Sequence, residues 1–152
     1  MTNLLNYVIS LDDELQRRQH IQQQFAQKNV PYHFFDAIRP QEAKKYATEM
    51  HLAYDPRYLT NTELACMMSH IKLWEKIVLH DIPYMAIFED DIHLGEQAEY
   101  YLTQHDWIKP EWNIIKIEAF AQKVFLGECV EQLPVGEHKI FPLLGKNYGC
   151  AG

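Results

Sequence analysis

Apolar and polar residues fall in blocks along the first hundred positions, and most blocks carry the period of one kind of element. Residues 4–11, LLNYVISL, are mostly apolar with β-branched Val8 and Ile9 at the centre, and Asp12, Asp13 and Glu14 follow at once. β-Branched residues suit a buried strand and acids suit the positive end of a helix, so the pattern predicts a strand running into a helix. That helix continues to about Lys28 with Leu15, Ile21 and Phe25 as its inward positions, and Asn29 stops it before Val30 and Pro31. Residues 32–38, YHFFDAI, read as a second strand. Strand, helix and strand in about thirty residues make a βαβ unit with a right-handed crossover.

Residues 41–50 read as a short helix and residues 51–59, with Asp55 and Pro56, as a loop. Thr60 and Glu63 have the spacing of a capping box, and Leu64, Met67, Met68, Ile71, Trp74 and Val78 recur at helical period as the core face of a long helix. Residues 80–83 close that helix. Residues 84–88, YMAIF, are then apolar without interruption, the pattern of a central parallel strand covered on both faces. Glu89, Asp90 and Asp91 end it abruptly. Further on, residues 96–103 read as a helix and residues 113–118, NIIKIE, as a strand. Residues 123–126 and 139–143 are shorter β-like runs, separated by Pro134 and Gly136. The expected architecture is α/β, a mainly parallel sheet flanked by helices.

Composition changes this picture only by exclusion. A chain of 152 residues, 47% hydrophobic and 23% charged, has the size and core material of one domain. Its net charge of −7 supplies no basic stripe for a nucleic-acid backbone, so nucleic acid is not an expected partner. Cys66, Cys129 and Cys150 are odd in number and widely spaced, which fits reduced thiols better than a disulfide framework or a zinc site. No apolar run approaches the ~20 residues of a membrane span, and the N-terminus lacks a signal-peptide pattern. A cytoplasmic protein is expected, with peripheral docking at the inner face of the cytoplasmic membrane left open.

The candidate chemistry gathers at the acidic triplet. In open α/β sheets ligands sit beyond the carboxyl ends of the strands, where Glu89, Asp90 and Asp91 would lie. A period of two points Glu89 and Asp91 to one side and Asp90 to the other. Three adjacent anions repel one another unless water or a hard cation such as Mg²⁺ or Mn²⁺ neutralises them, and an acidic turn in solvent is the plain alternative. All six glycines, from Gly95 to Gly152, follow the triplet, so the first βα turn holds no glycine-rich phosphate cradle. A bound nucleotide diphosphate would need a cation or arginines instead. Arg17 and Arg18, early in the first helix, are candidates for a base, ribose or phosphate, against a solvated helix face as the alternative. His93 has no partner histidine at metal-binding spacing and is left out.

Three blocks, VISLDDELQRR at 8–18, LTNTELACMMSHIKLW at 59–74 and YMAIFEDDIHL at 84–94, together resemble glycosyltransferase family 25, the lipopolysaccharide sugar transferases. The middle block is the most specific, with Leu59, Glu63, Cys66, Ser69, His70 and Trp74 at the family's positions. The family often has a glycine beside that glutamate, where this chain has Thr62 and Leu64. The resemblance covers roughly residues 4–118. It implies a fold of the nucleotide-sugar transferase A type, a UDP-sugar donor, usually UDP-galactose, and a lipopolysaccharide or lipooligosaccharide acceptor. It further implies a divalent metal, Mn²⁺ before Mg²⁺, held directly or through water by Glu89 and Asp91. Arg17, Arg18, Glu63, His70 and Asp90 are then the donor-binding candidates, with Glu63 and His70 resting mainly on the middle block. No catalytic base is identified.

Residues 1–152 read as a single, partial transferase domain whose C-terminal part is missing, because the GCAG at 149–152 resembles the start of a further family strand. Self-association through apolar surface near residues 141–144 and 148–151 is therefore expected. The rival reading is a non-catalytic remnant that binds nucleotide or a partner protein. A metal-dependent phosphohydrolase is a second rival, without a nucleophile in the expected context.

Overall fold

The computed structural model describes residues 3–118 and 123–145. Strand β1 (Leu5–Ser10) leads into helix α1 (Leu15–Gln27), followed by β2 (His33–Asp36), α2 (Ala43–Glu49), α3 (Asn61–Leu79), β3 (Met85–Glu89) and α4 (Ala98–Thr103). A short antiparallel hairpin of β4 (Glu131–Gln132) and β5 (Lys139–Ile140) comes after them. The first three strands form a parallel sheet in the order β2-β1-β3. The α/β expectation holds.

In that register Val8 lies between Phe34 and Phe88, and neighbours at one level of a sheet share a face. Helix α1 covers this face. Its Ile21 and Phe25 pack with Leu4, Val8, Val30, Phe88 and, from α4, Leu102 in one buried cluster. Helix α3 lies on the other face, where Lys76 sits over the ring of Tyr7, and with α2 it buries Ile38, Ala43, Ala47, Leu64, Ala65 and Met68. The buried Ser69 hydroxyl accepts from the Ile38 backbone N–H at 2.9 Å, which pins α3 to the segment after β2.

Helix ends follow the local sequence. At the start of α3 the Thr60 hydroxyl accepts from the Glu63 N–H, and the Glu63 carboxylate accepts from the Thr60 N–H, a complete capping box. Thr60→Ala should therefore cost about 1 kcal/mol of stability, read from the urea midpoint. Helices α1, α2 and α3 close with Asn29, His51 and Asp81 at positive φ. In each, the following N–H bonds back to the carbonyl five residues earlier, as in Val30 to Phe25. This left-handed closure usually employs glycine, which the chain lacks before Gly95.

Several expectations change. Leu15, expected to face inward, is 73% exposed at the start of α1, where only Ile21 and Phe25 are buried. Among the described residues the central strand is β1, and β3 lies at the sheet edge, half-buried except for Phe88. Trp74 and Val78 are 49% and 80% exposed, because the buried stripe of α3 runs through Leu64, Ala65, Met68, Ser69, His70 and Leu73, turned away from both. Residues 113–118 form no strand, since no ladder partner lies beside them among the described residues, and Ile114 is 85% exposed. Phe141, Leu143 and Leu144 stand in solvent as expected, whereas residues 148–151 fall outside the described part. No helix of the described residues is long and apolar enough to cross a membrane.

Candidate functional site

The carboxyl ends of β1 and β3 lie side by side, so Ser10 and the acidic triplet meet at one edge of the sheet with the first turns of α1 above them. Asp90 is the buried member, 8% exposed. Its Oδ2 accepts from the Ser10 hydroxyl at 2.7 Å and its Oδ1 from Arg17 Nη1 at 2.8 Å. Arg17 keeps its other face toward solvent, and Asp90 first, then Asp91, hold its guanidinium still more firmly ionised. The next arginine has a different role. Arg18 donates to the carbonyls of Ser10 and Leu11 at 3.0 Å each, pairs with Asp36 and lies 4.6 Å over the Phe34 ring. It clamps the ends of β1 and β2 together. Consecutive helical residues point about 100° apart, which separates the pair.

Strand β3 ends at Glu89, and residues 90–91 turn. The alternation that would place Asp91 beside Glu89 therefore stops. Asp91 is exposed and instead borders an open hollow of about 320 Å³ with Gln16, Arg17, His20, Asp90 and His93. His20 donates from Nε2 to the Ile92 carbonyl at 2.8 Å, and its ring meets that of His93 edge-on at 4.7 Å. Two carboxylates, a guanidinium and two imidazoles thus surround a solvent-open space at the ligand-binding edge of an α/β sheet. A larger groove, about 660 Å³, runs past Gln22, Phe25, Asn29 and Tyr32, but it offers no cluster of acids or bases.

Glu89 points to the opposite face and meets α3. The Cys66 thiol donates to its Oε1 at 3.4 Å, and His70 Nε2 lies 3.6 Å from the same oxygen. The nearby His70 imidazole, and then the Cys66 thiol, lower the pKa of this half-buried carboxyl from its ordinary value despite the opposing effect of burial. Glu63 is far from both groups in role: its carboxylate is bound to the Thr60 N–H and hydroxyl at 2.7 and 2.8 Å, which lowers its pKa. The structure therefore brings Arg17, Asp90 and Asp91 together, joins Glu89 to His70, and leaves Arg18 and Glu63 in structural bonds. Ser10 and His20 are not among the sequence candidates, and Cys66 is there only as a reduced thiol and a family position. The Cys66–His70 spacing of one helical turn was the available signal for the last.

The family model for glycosyltransferase family 25 (LPS biosynthesis protein) matches residues 3–152. Lipooligosaccharide biosynthesis protein lic2B of Haemophilus influenzae is 38% identical over 97% of this chain and 58% of its own length. Lacto-N-neotetraose biosynthesis glycosyltransferase LgtE of Neisseria gonorrhoeae is 37% identical over 97% of this chain and 55% of its own. Lipooligosaccharide biosynthesis protein lex-1 of Haemophilus influenzae is 30% identical over 100% and 60%. The chain spans little more than half the length of these relatives.

Proposed function

Because the chain belongs to glycosyltransferase family 25, we propose that it is the donor-binding part of a hexosyltransferase that moves a hexose, galactose by resemblance, from a UDP-sugar to a lipooligosaccharide-type acceptor. The observation that carries this reading is the hollow formed by Arg17, His20, Asp90, Asp91 and His93 at the carboxyl edge of the parallel sheet. It suits a nucleotide-sugar transferase A architecture.

The residues present fit a hard divalent cation through Asp91 alone. Such ions take one or two carboxylates plus phosphate oxygens, and Asp91 is the exposed carboxylate of the triplet, whereas both Asp90 oxygens are engaged and Glu89 faces α3. Bound Mn²⁺ or Mg²⁺ would neutralise the diphosphate and stabilise the leaving UDP. The chain's own groups supply the rest. Arg17, braced by Asp90, presents a fixed guanidinium to a phosphate oxygen. Ser10 fixes Asp90, and His20 is oriented by its bond to Ile92 so that its Nδ1 remains available to a ribose hydroxyl or phosphate. Attachment to the inner face of the cytoplasmic membrane would bring the donor site to a lipid-anchored acceptor. The apolar residues Phe125 and Leu144, 76% and 69% exposed, favour self-association, which sedimentation would reveal.

Calorimetric titration of UDP with and without Mn²⁺, followed by a radiolabelled UDP-galactose assay, tests the proposal. UDP affinity that rises with Mn²⁺ supports the donor site, and donor hydrolysis or transfer supports the enzyme. Binding without turnover would assign the 152-residue chain to nucleotide binding alone. No affinity for UDP in either condition would overturn the reading.

A further inference from the structure

Glu89 leaves the diphosphate hollow for a second constellation, and that departure has a chemical reading of its own. Sγ of Cys66, a ring nitrogen of His70 and a carboxylate oxygen of Glu89 lie within 4.8 Å of one another, and among the described residues no other group of three potential ligands is so close. His70 is 4% exposed, and its Nε2 faces this cluster without a hydrogen-bond partner among the described residues. At 3.6 Å from Glu89 it is too far for a hydrogen bond, yet close enough to share a ligand. Zinc bonds of about 2.0 to 2.3 Å at tetrahedral angles put neighbouring ligand atoms roughly 3.3 to 3.8 Å apart. The Cys66 to Glu89 and His70 to Glu89 separations, 3.4 and 3.6 Å, are already tetrahedral edges.

We propose that Cys66, His70 and Glu89 form a binding site for one borderline-soft divalent cation, zinc by chemistry, separate from the Asp91 hollow. Thiolate and imidazole select such a cation over Mg²⁺ or Mn²⁺. A thiolate and a carboxylate balance its two positive charges, and the Cys66 proton leaves to solvent on binding. Cys66 and His70 are one helical turn apart on a rigid helix, and Glu89 ends a strand, so the site is preorganised from two elements. The carboxylate is 28% exposed, which opens a route from solvent and leaves a fourth position for water. Occupancy would lock α3 to the end of β3 and hold Glu89 away from the diphosphate.

Cobalt(II) is the probe, in chelator-treated protein carrying Cys129→Ser and Cys150→Ser so that Cys66 is the sole thiol. The expected result is one equivalent bound with a thiolate-to-cobalt charge-transfer band, displaced by Zn²⁺ and not by Mn²⁺. Cys66→Ser should abolish the band and weaken Zn²⁺ roughly a hundredfold or more, since even groups that only support a ligand are worth 10 to 100-fold. Glu89→Gln should weaken it at least about tenfold. A parent protein without the band overturns the proposal whatever the variants do. So does a band that survives Cys66→Ser in protein whose circular dichroism is native.

Discussion

Asp91→Asn is expected to lower Mn²⁺-dependent affinity for UDP about a hundredfold, or about 2.8 kcal/mol, while stability changes by no more than about 0.5 kcal/mol. The two effects separate because of where the side chain stands. Asp91 is exposed in the turn after β3, so asparagine there leaves no buried group unsatisfied. Removing its charge relieves repulsion with Asp90, and the accompanying loss of support for Arg17 is minor, because Asp90 dominates that interaction. The amide can no longer offer an anionic oxygen to a hard cation, and Arg17 would be left as the fixed charge nearest the diphosphate. Calorimetry with UDP, with and without Mn²⁺, reads the first effect, and thermal melting reads the second. A variant with unchanged metal-dependent affinity would return the triplet to the role of an acidic turn.

The same residues show how far the sequence carries. The βαβ unit was legible from local causes: β-branched residues in β1, Ile21 and Phe25 at helical spacing in α1, and an asparagine able to adopt positive φ at its end, whereas Asp12 and Asp13 lie before the helix and pair with Arg39. The capping box of Thr60 and Glu63 was legible for the same reason, since both partners lie within one turn. That the acids after Phe88 stand at the carboxyl edge of the parallel sheet was also readable, from an apolar run that stops at three acids. What was not readable depends on partners far along the chain. Alternation gave Asp91 the side of Glu89, but it holds only while the strand lasts, and the turn begins one residue too early. Arg17 and Arg18 are indistinguishable in sequence. Only the position of Asp90, 73 residues later, makes one a bracket for the hollow, while Asp36 makes the other a clamp. Likewise the one-turn spacing of Cys66 and His70 gains meaning only when the packing of α3 on the sheet brings Glu89 to them. The choice of β1 rather than β3 as central strand is a matter of strand order, which periodicity within a single strand does not encode.

Phe25→Ala is expected to be the most damaging single substitution for the fold, at about 3 to 5 kcal/mol. Phe25 is fully buried, and its ring meets Tyr32, just before β2, at 4.4 Å and Phe88 of β3 at 5.7 Å. Alanine removes the ring between helix and sheet, and the surrounding Val8, Ile21 and Val30 are held by their own backbone bonds and collapse only in part. A small domain has about 5 to 15 kcal/mol in total, so the variant would keep a fraction of that or lose the folded state altogether. The consequence reaches the hollow, because the helix that Phe25 anchors also carries Arg17 and His20. UDP affinity should fall with the folded fraction and recover when sucrose or trimethylamine oxide restores folding, whereas Asp91→Asn should not recover under the same conditions. Urea titration of parent and variant at constant m-value measures the stability change. A loss below about 1 kcal/mol would mean that α1 is not packed on the sheet as the Phe25 contacts describe, and the placement of Arg17 above Asp90 would fall with it.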